Sequence, residues 1–136
     1  MVGPLVFTPP EVDRLIPRLE SLFSELDGVR AKIRAQKLRI NALEMIWGDA
    51  VQREDNSDHR EYAHHMEEMK SLHEEFEKRT REIAELGGQM KGLDPPLVDF
   101  LGVREGRLVL LCWTRGEKQI AHWHHVDQGF AGRQPL

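Results

Sequence analysis

The stretch TPPEVDRLIPRLESLFSELDGVRAKIRAQKLRINALEMIWGDAVQR, residues 8–53, decides the fold. Thr8 is placed to cap a helix, proline suits the first helical turn, and Glu11 completes a capping box. From there Leu15, Leu19, Leu22, Leu26, Val29, Ile33, Gln36, Ile40, Leu43, Trp47 and Ala50 recur at alternating steps of four and three. Ten of these eleven positions are apolar, a regularity that predicts one long helix with a coiled-coil-like seam. Pro17 lacks an amide and is expected to kink the second turn. Gly28 weakens the helix by about 1 kcal/mol relative to alanine. Gln36 is the one polar seam position, either a register-setting group or a tolerated polar contact.

Arg53–Asp58 breaks the pattern as a polar loop. Asp58 and Glu61 form a second capping-box signal. The stripe Tyr62, Met66, Met69, Leu72, Phe76, Ile83, Leu86 then predicts a second helix, ended by Gly87-Gly88. Folding back about residues 55–56, the second helix, roughly 40 Å long, covers the first, roughly 65 Å, only down to about residue 25. Val12, Ile16 and Phe23 widen the stripe on the expected overhang. The basic run Arg30, Lys32, Arg34, Lys37, Arg39 is expected to face Glu74, Glu75, Glu77 and Glu82 across the hairpin rather than a polyanion.

After Gly92 the period changes. Leu97–Phe100, Arg107–Thr114 and Gln119–Val126 predict a three-stranded antiparallel meander, with Leu101–Gly106 and Arg115–Lys118 as turns. The fold class expected is therefore α+β, mostly α: a helical hairpin (8–86) capped by a β-meander (97–126) and a tail (127–136), in a single domain over 1–136. A two-residue turn at Gly116-Glu117 pairs Val109 with His124 and Leu111 with His122. A three-residue loop shifts every pair by one, and the sequence leaves both registers open.

Composition narrows the function classes. The 136 residues carry 19 Lys plus Arg against 23 Asp plus Glu, a net charge of −4, which argues against nucleic acid as a partner. One cysteine excludes an internal disulfide framework. No apolar run is long enough to span a membrane, and Met1–Pro4 opens no signal core, so a cytoplasmic location without membrane attachment is expected.

Phe7-Thr8, Leu15-Ile16-Pro17, Leu97-Val98-Asp99-Phe100, Leu111-Cys112-Trp113, Gly116-Glu117, Trp123-His124 and the ending Gly129-Phe-Ala-Gly-Arg-Gln-Pro135 resemble a bacterial family catalogued as domain of unknown function 2203. The resemblance covers the whole chain and implies no activity. The sequence departs from the family pattern at Leu101, His122 and His125.

Two function classes follow. The leading reading is a non-enzymatic interaction or assembly module, a homo-oligomer such as a dimer or the partner of another protein. Its basis is that two helices cannot enclose a stripe flanked by Met45, Ile46, Trp47 and Val51. The rival is a small metal- or anion-binding protein, or an enzyme, with its site at the β-hairpin and tail. His122 and His124, at i and i+2 on one strand face, are its candidate ligands for a divalent metal such as zinc, with Glu117, Asp99 or Cys112 as a third. Glu117, Trp123 and Arg133 are its candidate ligand-binding residues, Arg133 offering a planar cation beside the flexible Gly129–Gly132 backbone. Glu61-x-x-His64 matches a di-iron carboxylate spacing but sits off the apolar stripe. His59, His65 and His73 read as solvated flanks, and Cys112 as a small buried apolar residue rather than a nucleophile.

Overall fold

The computed structural model describes residues 5–136; the leader reading at Met1–Pro4 lies outside them. The secondary structure comprises α1 (Pro9–Trp47), α2 (His59–Glu85) and five strands: β1 (Gln89–Leu93), β2 (Pro96–Arg104), β3 (Arg107–Thr114), β4 (His122–His125) and β5 (Gln134–Pro135). The chain forms two compact units, one made of the chain up to Ser24 with Thr80–Leu136, the other of Glu25–Arg79.

The predicted start of α1 is present in full. The Thr8 amide and hydroxyl donate to Glu11 Oε1 at 2.9 and 2.8 Å, and those bonds hold the Glu11 carboxyl below its ordinary pKa. The helix assignment continues through Pro17. The second capping box is not used in the same way, because the Asp58 carboxylate accepts the Trp47 indole N–H at 2.8 Å.

In the Glu25–Arg79 unit the two helices run antiparallel, with Arg79 beside Glu25 at 3.4 Å and His65 Nδ1 2.8 Å from Gln36 Oε1. The polar seam residue is thus a cross-helix hydrogen-bond partner. Its core is Ile40, Leu43, Val51 and Tyr62, with Met69 against them. Val51 lies in a 3-10 turn, Gly48–Gln52, that follows Gly48 at φ +59°. That turn tightens the connection and moves the fold-back toward the N-terminus.

In the other unit Arg18 pairs with Glu82, so α2 reaches about three turns further along α1 than a fold-back at residues 55–56 allows. Glu82 is therefore not a partner of the basic run. Lys32, Arg34, Lys37 and Arg39 are exposed, and among the described residues they form no ion pair. Val12, Ile16, Leu19, Leu22 and Phe23 are buried, and the Phe23 ring lies 6.0 Å from that of Trp113 on β3. The expected docking of the start of α1 on the sheet is therefore present.

The sheet has five antiparallel strands in the order β1-β2-β3-β4-β5, which corrects the three-stranded expectation. β1 follows the glycine pair directly and has a register irregularity between Met90 and Gly92, so it lacks a clean alternating signature. β2 runs through the segment expected to be a turn and closes on β3 through Glu105 and Gly106, both at positive φ (54° and 75°), as a two-residue hairpin turn requires. Glutamate at the first such position is an unusual choice, and it hid the turn. β5 is a two-residue edge pairing Gln134 with Trp123 and Pro135 with His122. The β3–β4 connection takes the register Cys112↔His122, Leu111↔Trp123, Leu110↔His124, Val109↔His125, the shifted alternative of the two considered.

Candidate functional site

The register fixes which side chains meet. Directly opposed residues of an antiparallel pair share a face, and neighbours along a strand alternate. Asp99, Cys112, His122 and His124 therefore share one face. Val98, Phe100, Leu111, Trp113 and Trp123 share the other. Trp123, a candidate ligand-binding residue, therefore lies across the sheet from His122 and His124, as does Trp113. Trp113 is fully buried against Phe23, with its indole N–H donated to the Glu117 carbonyl at 2.9 Å. Trp123 packs edge-on against His125, with the Arg104 guanidinium 5.1 Å above its ring.

On the histidine face the polar groups form two clusters. In the first, Arg133 Nη2 donates to both Glu117 oxygens at 2.7 and 2.9 Å and to the Cys112 carbonyl at 3.2 Å. Glu117 also accepts the Thr114 amide at 2.8 Å, and His122 Nδ1 lies 3.4 Å from its second oxygen. Glu117 and Arg133 thus pair through Nη2, while Arg133 Nε is buried without a partner, and the pair fastens the tail to the β3–β4 loop. Phe130, half exposed, lies over the Arg133 guanidinium at 4.8 Å.

The second cluster is buried. His124 Nε2 lies 3.1 Å from Asp99 Oδ2, and the two side chains are 2% and 3% exposed. His124 Nδ1 lies 2.8 Å from the His125 carbonyl. Asp99 Oδ1 is buried with no hydrogen-bond partner. Cys112, opposite Asp99 in the register, completes a group whose donor atoms all lie within 4.8 Å of one another. Burial first, then the negative Asp99, push the Cys112 thiol up to about 12, so it is a neutral thiol in the protein as it stands. A recess of 190 Å³ opens beside the group, lined also by Lys91, Leu97 and the tail residues Gln128, Gly129 and Phe130.

Of the two candidate metal histidines, the structure therefore brings His124 to Asp99 and Cys112 and sends His122 to Glu117. Among the described residues no such grouping forms around Glu61 and His64. His65 and His59 are not solvated flanks: His65 bonds Gln36, and His59 Nδ1 lies 2.9 Å from the Val51 carbonyl.

A family model described as uncharacterized conserved protein (DUF2203) matches residues 5–136. The chain belongs to the DUF2203 family. Neither the curated proteins nor the solved structures hold a significant match to this DUF2203 chain. Among its described residues no helix is long and apolar enough to cross a membrane.

One feature of this DUF2203 chain escaped the heptad reading. Gly28, Ala31, Ala35, Leu38, Ala42 and Met45 repeat at steps of three and four, two residues out of phase with the first seam, and all are exposed. Two residues is about 200° of helix, so this second seam lies on the opposite side of α1. In the sequence this repeat is masked by its small residues and by the basic run between them.

Proposed function

We propose that the protein is a non-enzymatic assembly module of the cytoplasm that dimerises through its helices, the second seam of α1 forming the coiled-coil-like face. The observation that carries this reading is the exposure of that seam: Met45 is 87%, Leu38 71% and the adjoining Ile46 68% exposed. Exposed apolar residues in helical register mark a surface built to be covered. The alanines between them allow a second helix to approach closely.

The occupant is a second copy of this chain, on grounds of charge. Residues 30–43 of α1 carry Arg30, Lys32, Arg34, Lys37 and Arg39 and no acid. Residues 61–77 of α2 carry six glutamates and one lysine. A two-fold dimer that sets α1 against the partner's α2 brings the basic surface against the acidic one twice, as isologous symmetry requires. A shallow recess along Tyr62, Ala63 and Met66 on α2 offers that pairing an apolar contact.

Light scattering at micromolar concentration should give twice the 15.8 kDa of one chain. Met45→Glu with Ile46→Glu should give a monomer of unchanged helicity. A parent protein that stays monomeric across the micromolar range overturns the reading.

A further inference from the structure

The geometry points to a metal site on the sheet: Asp99, Cys112 and His124 bind one divalent transition ion, zinc by preference, with the 190 Å³ recess supplying room for a fourth, non-protein ligand. All three ligands lie on β-strands and none on α1 or α2.

Four observations converge. The donor set is one sulfur, one nitrogen and one oxygen, a mixture that suits zinc better than magnesium or calcium. The three donor atoms lie within 4.8 Å of one another, and zinc–ligand bonds of about 2.0–2.3 Å require roughly 3.5 Å between tetrahedral donors, so a small contraction suffices. Three adjacent strands hold the ligands, so the set sits on rigid ladder positions rather than on a loop.

The fourth observation is the hydrogen-bond pattern. His124 Nδ1 faces the His125 carbonyl, the outer contact that ordinarily orients a metal-bound imidazole. Nε2 faces an Asp99 carboxylate oxygen. Both ring nitrogens thus face acceptors, and a neutral ring supplies only one N–H. The second contact calls for a positive charge between Nε2 and Oδ2, either a proton or a metal ion. Asp99 Oδ1, buried and unpartnered, is a second sign of a missing cation. The Lys91 ammonium stands 3.9 Å from Oδ2 on a half-exposed side chain, and solvent is open to it when an ion enters.

On binding, the S–metal, N–metal and O–metal bonds form, and the thiol proton, with any proton held at Nε2, leaves to solvent. The recess keeps one position open to water or to a small anionic ligand, the arrangement of reactive rather than purely structural zinc sites.

The test is titration of the full-length, chelator-treated protein with cobalt(II), followed by competition with zinc. One equivalent should bind and produce a thiolate-to-cobalt charge-transfer band together with intense tetrahedral visible bands, all displaced by zinc. Cys112→Ala should keep the fold by circular dichroism, lose the charge-transfer band and bind more than about 100-fold more weakly, beyond the 10–100-fold typical of losing an outer partner. His124→Ala should do the same. His122→Ala, outside the donor set, should titrate as the parent does. Zinc should raise the melting temperature of the parent and not of Cys112→Ala. Absence of the charge-transfer band in the parent, or binding that survives Cys112→Ala and fails in His122→Ala, overturns the inference. If Asp99→Asn and His124→Ala unfold, the folded Cys112→Ala and His122→Ala pair still decides it.

Discussion

Phe23 and Cys112 sit on opposite faces of the same sheet, and each supports a measurable expectation. Phe23 is 1% exposed and stacked near Trp113, so Phe23→Ala removes a fully enclosed ring and should destabilise by about 3–5 kcal/mol in urea unfolding. A loss below about 1 kcal/mol would show that the ring does not anchor α1 to the sheet. Cys112 gives a pH dependence in the metal-free protein. Its folded pKa, about 12, lies above the ordinary 9.0, so the native state holds a proton that the unfolded chain releases first. The stability from this group is complete below about pH 9 and declines as pH rises toward 12, by at most about 4 kcal/mol at 1.36 kcal/mol per unit. Urea midpoints of parent and Cys112→Ala should converge between about pH 7 and about pH 10.5; parallel profiles would contradict it. At this scale the sequence exposed the right residue types but not their company. His122 and His124 share a face as strand alternation demands, yet their neighbours depended on a one-residue choice of register. The Glu117–Arg133 pairing depended on where a ten-residue tail returns, which no periodicity encodes.

Among the elements, α1 contains its own weak point. Gly28 is exposed in mid-helix, and a Cβ there meets nothing within 4 Å. Gly28→Ala should therefore stabilise the protein by about 0.5–1 kcal/mol through helix propensity and a less flexible unfolded chain. An unchanged urea midpoint would mean that the glycine is needed for packing in the assembly. Gly87 behaves in the opposite way. It lies at φ +98°, and an added Cβ would stand 2.4 Å from the Phe7 ring, so Gly87→Ala should destabilise by more than about 1 kcal/mol. Both helices and β3 were legible because each carries a long periodic signal. β1 and β5 were not, because a bulged five-residue strand and a two-residue edge carry almost none. The placement of the fold-back was also misread, since the Gly48–Gln52 turn looks like a continuation of the seam rather than its end.

For the whole molecule, the arrangement of charge discriminates between two ways of pairing the chains. Exposed ion pairs contribute about 0.2–1 kcal/mol each and are screened by salt. If α1 lies against the partner's α2, Arg34→Glu, Lys37→Glu and Arg39→Glu together turn six symmetric attractions into repulsions, because each of the three occurs twice. The dimer should then weaken by at least about tenfold at low salt, since even about 1.4 kcal/mol in total suffices for that. Reversing Glu68, Glu74 and Glu75 to lysine in the same chain should restore it. If α1 instead packs on the partner's α1, like charges face like charges before and after the first reversal, and the affinity should stay the same. Sedimentation equilibrium of the parent, the α1 reversal and the combined variant, each at low and high salt, separates the two arrangements. Neutral behaviour of the α1 reversal would keep the second seam as the contact but reassign its occupant from α2 to α1 of the second copy.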